Sequence, residues 1–213
     1  MQITWYGHSC FRLTERGMAT VVTDPFDHAA LGYRPLKLKA DIVTISHQAP
    51  GHSNLKAVKG AAHTITGPGE YEIGGVFITG VRTSGRKRNA NGARNTLYVF
   101  DYEGVNVAHL GDLQRALTQS EIEALGTVDV ALVPVGGGGG LTAAKAAEVI
   151  SLIEPRIVIP MHYKTKEVSL QLDPLDKFLK EMGLGNVEPL PELKVTSSTI
   201  PSETRVVVLD YPK

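Results

Sequence analysis

Cysteine is almost absent from this 213-residue sequence, which has Cys10 alone. An intrachain disulfide is therefore excluded, as is any zinc site built on cysteine ligands, and a reducing cytoplasm is the expected compartment. Excess charge is lacking too: 22 Lys+Arg face 22 Asp+Glu, and only 21% of residues are charged. That balance argues against a surface given over to nucleic acid or an acidic membrane, although a local patch can still bind anions. No apolar run approaches the ~18 residues that a membrane-spanning helix needs. The N-terminal MQITWYGHSCFRL has neither the cationic start nor the apolar block of a signal peptide. What is present, 42% hydrophobic residues without internal repeats, predicts one globular domain over residues 1–213.

Short β-type runs fill the first half: residues 3–6, 10–13, 20–23, 41–46, 76–81, 97–102 and 105–109, separated mostly by Gly, Pro, Asp or Asn. They read as antiparallel sheet. In the second half strand and helix signals alternate. Thr118-Gln-Ser-Glu121 is a capping box, so a helix begins there and stops at Gly126. A buried strand over 128–135, an Ala-rich helix from Thr142 to about Ile153 and a second apolar strand over 156–159 follow. Asp173-Pro174 reads as N-cap and first residue of a last helix ending at Gly183, before short strands over 193–196 and 205–209. Strands followed by helices, twice over, suggest two face-to-face sheets with helices outside, an α+β fold in four αββα layers. The five glycines Gly136 to Gly140 read as a flexible connection, or alternatively as a backbone flap beside a site.

Seven histidines are present, and several sit where a strand runs into a loop. His47 follows DIVTIS, His109 and Asp112 end VAHLGD, and His162 follows IVIPM. Imidazole and carboxylate groups converging from three strand ends would suit a zinc-like ion. His109 lies three residues before Asp112, so strand alternation points the two to opposite faces and gives His109 a structural or supporting role. His8 is read in the same structural sense, and His28 and His63 as surface or turn histidines.

At these residues the sequence resembles the metallo-β-lactamase superfamily, in its compact branch of zinc-dependent hydrolases. The resemblance rests on Gly7-His8-Ser9-Cys10-Phe11, Thr23-Asp24-Pro25-Phe26, Ser46-His47 and Gly67-Pro68-Gly69-Glu70 with Gly74-Gly75. It continues through His109-Leu110-Gly111-Asp112, Val133-Pro134-Val135-Gly136-Gly137 and Ile159-Pro160-Met161-His162-Tyr163. It implies a four-layer αββα sandwich and departs from the family at the metal loop. The signature His-x-His-x-Asp-His here reads His47-Gln48-Ala49-Pro50-Gly51-His52, so one histidine has become Ala49 and the aspartate Gly51. A further family histidine is expected after the strand VFITGV, where Arg82-Thr83-Ser84-Gly85-Arg86 stands.

Carried over residue by residue, the resemblance leaves His47 for the first metal, His52 and His162 for the second, and Asp112 between them. It also assigns Asp24 to support the His47 loop from behind, because metal-bound imidazole donates its other N–H to a carboxylate or carbonyl. One histidine and a shared carboxylate are too few for the first position. His52, Asp112 and His162 could hold one ion, zinc first, with manganese or iron as alternatives. Such an ion would bring the pKa of a bound water toward ~7 and give hydroxide for an ester, amide or phosphoester. The missing aspartate at Gly51 would weaken the positioning of that nucleophile. The alternative is a member without metal, its site degraded, binding a small anionic ligand or a partner. Arg82, Arg86, Lys87, Arg88 and Arg94 fall within thirteen residues that hold no acid, and Arg86, Arg88 and Lys164 are the candidate anion ligands. The same run also reads as a solvated hairpin tip.

Overall fold

The computed structural model describes residues 1–83 and 94–211. In chain order its strands begin with β1 (Gln2–Trp5), β2 (Phe11–Thr14) and β3 (Val21–Thr23). The one-turn helix α1 (His28–Leu31) precedes β4 (Leu38–Lys39), β5 (Ile42–Thr44), β6 (Val58–Lys59) and β7 (His63–Ile65). β8 (Gly69–Ile73), β9 (Val76–Arg82), β10 (Thr96–Tyr102) and β11 (Val105–His109) follow. Then α2 (Gln119–Leu125), β12 (Val130–Pro134), α3 (Ala143–Ile153), β13 (Ile157–Met161) and α4 (Leu175–Glu181) alternate, before β14 (Leu193–Lys194) and β15 (Arg205–Val206).

The strands form a six-stranded sheet, β14-β1-β2-β3-β5-β7, a seven-stranded sheet, β15-β13-β12-β11-β10-β9-β8, and the small pair β4-β6. Their inner faces share one core. Ile3, Trp5, Phe11, Leu13 and Val21 of the first sheet pack with Ile78, Leu97, Phe100 and Val107 of the second. Two tyrosines of β10 tie the sheets together: Tyr102 donates to the Ala19 carbonyl at 2.8 Å and Tyr98 to that of Ile45 at 3.1 Å. On the outer face of the second sheet, α3 and α4 contribute Ala146, Val149 and Phe178. The outer face of the first is covered more lightly, by Leu31 of α1, Phe26, Tyr33 and the β4-β6 pair over Val22, Val43 and Ile45. This is the four-layer α+β sandwich.

Pairing departs from the antiparallel reading of the first half. β1, β2 and β3 are antiparallel, but β3-β5 and β5-β7 are parallel. The segments between those strands are long crossovers, and a crossover of a dozen or more residues is what a parallel pair requires. The second sheet changes likewise, from antiparallel through β11 to parallel over β11-β12-β13-β15. Local end signals behave as read: the Thr118 capping box is closed in both directions, and Gly126 caps the end of α2. The last helix differs by one residue. Pro174 is its N-cap in extended conformation, while Asp173 sits outside and pairs with Lys177 at 2.5 Å.

Strand C-termini of both sheets meet at one edge, and the loops leaving β3, β5, β11, β12 and β13 carry Asp24, His47, Asp112, the glycine segment and His162 respectively. No helix among the described residues is long and apolar enough to cross a membrane.

Candidate metal centre

Asp112 is reached through a turn, not a strand. β11 ends at His109, and Gly111 follows at φ 53° with Asn95 Oδ1 2.3 Å from where a Cβ would stand. That approach lets Asn95 accept from the Asp112 backbone N–H at 2.9 Å while its amide donates to the Leu110 carbonyl at 3.0 Å. His109 and Asp112 are therefore not on one strand, and strand alternation does not set their relative directions. His109 is nevertheless turned away from Asp112: Nε2 faces the Ser9 carbonyl at 2.9 Å and Nδ1 accepts from the Gly111 N–H at 3.2 Å. Both ring nitrogens are engaged in shaping the turn.

Three buried histidines surround the Asp112 carboxylate, and a fourth stands against two of them. His52 Nε2 and His47 Nε2 lie 3.3 and 3.5 Å from Oδ2, and His162 Nε2 lies 3.3 Å from Oδ1. The fourth is His8, whose Nε2 is 3.3 Å from His52 Nε2 and whose ring centroid is 4.3 Å from that of His162. The His162 N–H donates to the His8 carbonyl at 3.1 Å, which clamps these two backbones together. Asp24, His8 and His162 all adopt positive φ, 40°, 51° and 54°. Such backbone costs on the order of 1 kcal/mol or more per residue and gathers at functional sites.

Behind the cluster, Asp24 is held by the Ser46 N–H at 2.7 Å and by the Ser46 hydroxyl at 2.5 Å, and it accepts from His52 Nδ1 at 2.8 Å. This network assigns protons. A carboxylate only accepts, so His52 carries hydrogen on Nδ1. Ser46 donates to Asp24 and therefore accepts from His47 Nδ1 at 3.0 Å. Both rings, when neutral, present Nε2 lone pairs toward the Asp112 carboxylate, an arrangement of acceptors facing acceptors that calls for a cation.

Without one, a proton serves. Burial would lower the His52 pKa, but Asp112 and Asp24 on either side push it up to about 10. Burial raises the Asp112 carboxyl, yet the His52 and His162 rings outweigh it and hold it well below its usual range. Burial lowers His8, His47 and His162, with the His52 ring adding to the effect, so these stay neutral.

The donor set fits a divalent ion. Tetrahedral zinc with bonds of ~2.0–2.1 Å separates its ligand atoms by about 3.3–3.4 Å, and the separations around Asp112 and His52 are 3.3 to 3.5 Å. Two overlapping sets of donors lie within 4.8 Å of one another, His8 with His52 and His162, and His47 with His52 and Asp112. Asp112 Oδ1, buried, has no hydrogen-bond donor among the described residues.

Other expected members fall differently. The Lys164 ammonium is engaged by its own loop, donating to the carbonyls of Val168 at 2.5 Å and Leu170 at 3.3 Å, and so is turned from an anion site. Arg86 and Arg88 lie outside the described residues; Arg82 and Arg94, on either side of them, are exposed. The glycine segment is not a free connection. Gly136 donates to the His162 carbonyl at 3.0 Å, and Gly137 and Gly140 are hydrogen-bonded within the loop. A Cβ at Gly136 would stand 2.3 Å from the His162 carbonyl oxygen, and one at Gly139 3.5 Å from Asp112 Oδ2. The segment is packed backbone lining the site, with no room for a side chain at Gly136 and open space at Gly137. In sequence His8 reads as structural, Ser46 stands out only as part of the Ser46-His47 motif, and Asn95 carries no signal. A Gly-His step leaving a strand was the one available signal for His8.

A two-sheet sandwich with histidines and carboxylates collected at its strand ends defines a metallohydrolase-like scaffold. Residues 2–162 match the β-lactamase superfamily domain, and the chain belongs to that family, within the metallo-β-lactamase superfamily. A Thermotoga maritima structure of this superfamily superposes with a TM-score of 0.80 at 40% identity, over 99% of each chain. The chain is 29% identical to a UPF0173 metal-dependent hydrolase of Thermoplasma acidophilum, covering 91% of this chain and 96% of that one. It is 30% identical to a UPF0173 protein of Pyrococcus furiosus, covering 85% and 90%.

Proposed function

We propose that this chain is a cytoplasmic metal-dependent hydrolase that holds one divalent ion, zinc first, between His52, Asp112 and His162, with His47 at the edge. Its substrate is a small molecule with an ester, amide or phosphoester bond. The observation that carries the reading is the inward convergence of Nε2 lone pairs on a buried carboxylate, with Asp24 fixing the His52 tautomer from behind. An ion bound there supplies Lewis acidity and lowers the pKa of water in its coordination sphere.

The chain's own groups supply the rest. Asp24 and Ser46 orient His52 and His47 through one shared set of hydrogen bonds. Asn95 holds the turn that presents Asp112. His47, neutral and with a free Nε2 lone pair beside Asp112, is placed to take and return a proton at that atom. The glycine loop brings bare backbone against Asp112 and His162, which leaves room for a substrate group where side chains would crowd it.

The test is elemental analysis of protein purified without added metal, repeated after incubation with zinc, manganese or iron and desalting. Close to one ion per chain is expected, lost in Asp112→Ala. Asp112→Ala and His162→Ala should each abolish hydrolysis while leaving circular dichroism unchanged. No ion retained under any condition would refute the reading.

A further inference from the structure

Position 51 holds aspartate in the family signature and glycine here, and the structure shows what stands in that place. A Cβ added at Gly51 meets His8 Nε2 at 3.0 Å and His8 Cδ2 at 3.3 Å. A side chain at residue 51 would press on the His8 ring, which would have to give by a few tenths of an ångström, so the ring fills the space beside this position. His8 is 2% exposed, and its Nε2 lies 3.3 Å from His52 Nε2, the spacing of two imidazoles on one tetrahedral ion.

The ring has no competing engagement. His8 Nδ1 has no hydrogen-bond partner among the described residues, so the ring's polar contact is through Nε2 into the cluster. Nor is the ring there by relaxed default. Its backbone is held at φ 51° by the Trp5 indole and the His162 N–H, both donating to the His8 carbonyl, and by its own N–H donating to the Tyr33 hydroxyl. Three contacts from separate parts of the fold fix a left-handed residue whose imidazole enters the metal cluster.

We propose that His8 is a metal ligand in this chain, standing in for the aspartate missing at Gly51 and completing a set of His8, His52, His162 and Asp112. This rests on the metal-binding reading above. The exchange keeps the number of protein ligands at the second position and replaces an anionic donor by a neutral one. The net charge of ion plus ligands therefore rises by one relative to the aspartate-bearing pattern. A more positive site favours an anionic substrate group, so phosphoesters and carboxylate-bearing esters are the class to favour among candidate substrates.

The experiment uses the full chain with cadmium-113 and nitrogen-15-labelled histidine. Scalar coupling from the bound ion to the His8, His52 and His162 rings is expected; an uncoupled His8 ring overturns the proposal while leaving a metal site at the other two. No bound ion at all overturns both readings. Titration with zinc and cobalt(II) gives a second measure. His8→Asn, which tolerates a left-handed backbone, should weaken binding by more than the ~10–100-fold that loss of a supporting partner causes. It should also reduce the intense four-coordinate cobalt absorption. Adding Gly51→Asp to His8→Asn should restore affinity to within about tenfold, whereas the surface change His63→Ala should leave it alone. Wild-type affinity in His8→Asn, with fold intact, overturns the proposal.

Discussion

Asp24→Asn changes one atom and should rearrange two histidines. Asn tolerates the left-handed backbone that Asp24 adopts, φ 40°, so the change adds no strain of its own. The new amide can still accept from the Ser46 N–H through its oxygen. Its nitrogen, however, now faces the Ser46 hydroxyl and His52 Nδ1, where the carboxylate accepted at 2.5 and 2.8 Å. The amide N–H now meets the His52 Nδ1–H, donor against donor, so the ring must move its proton to Nε2, the atom that faces Asp112. Ser46, now accepting from the amide, is free to donate to His47 Nδ1 at 3.0 Å and reverses that tautomer as well. Both lone pairs at the centre are lost. In the metal-free chain the protonated His52 also loses one of its two carboxylates. Removing one partner of a buried pair costs about 3–5 kcal/mol, and for a chain of this length each kcal/mol lowers Tm by about 2–4 °C. Differential scanning calorimetry should therefore show the metal-free variant melting roughly 6–20 °C lower, and zinc affinity should fall ~10–100-fold. An unchanged zinc affinity, or a Tm within about 2 °C of the parent, would refute the account in which Asp24 sets both tautomers.

Gly136→Ala places a methyl 2.3 Å from the His162 carbonyl oxygen, which is backbone and cannot swing aside, so the β12 and β13 loops must part. A loss of about 1–3 kcal/mol is expected in urea denaturation, with weaker metal retention; an unaltered midpoint would mean the loop is softer than its contacts indicate. Acidifying the metal-free chain below pH 6.5 should lower the urea midpoint, because His8, His47, His109 and His162 are held below their ordinary pKa and the unfolded chain takes up protons that the folded one refuses. The slope is at most about 1.4 kcal/mol per pH unit for each histidine. His52 has the opposite sign: its contribution is complete below about pH 6.5 and is lost as pH rises through about 10. A midpoint that climbs between pH 6.5 and 5 would contradict the assignment of neutral rings.

Features set by neighbours in sequence were legible; those set across the fold were not. The Thr118 capping box and Gly126 are decided within a few residues, and both ends of α2 form where the sequence places them. Parallel pairing of β3, β5 and β7 depends on how long crossovers return, and alternation within each strand carries no trace of it. At the site, His47, Asp112 and His162 stand out in sequence because they follow strand-like runs, whereas His52, in mid-loop, is suggested only by the family resemblance. The place of His8 is not legible in the same way, because its ring lies against residue 51, in a loop more than forty residues away. Lys164 misled in the other direction. Its basic run suggests a free cation, but the chain turns back on itself and gives the ammonium two carbonyls of its own loop.

Ala49 and Gly51 have no side chain able to bind a metal, yet His47 and His52 on either side of them both face Asp112. The loop between them is held by its backbone. The Ala49 carbonyl accepts from the His52 and Ser53 N–H groups at 2.9 and 3.1 Å and from the Ser53 hydroxyl at 2.9 Å, and the Pro50 carbonyl accepts from the Asp27 N–H at 2.8 Å. The Asn54 amide adds a bond to the Phe26 carbonyl at 3.1 Å. None of these contacts uses the side chain of residue 49 or 51, so the loop's backbone bonds do not depend on what those side chains are. A metal ion is not needed to shape such a loop, which separates the geometry of the site from its occupancy. The His8 ring, which comes from the turn between β1 and β2, therefore meets a loop whose backbone is already held in position.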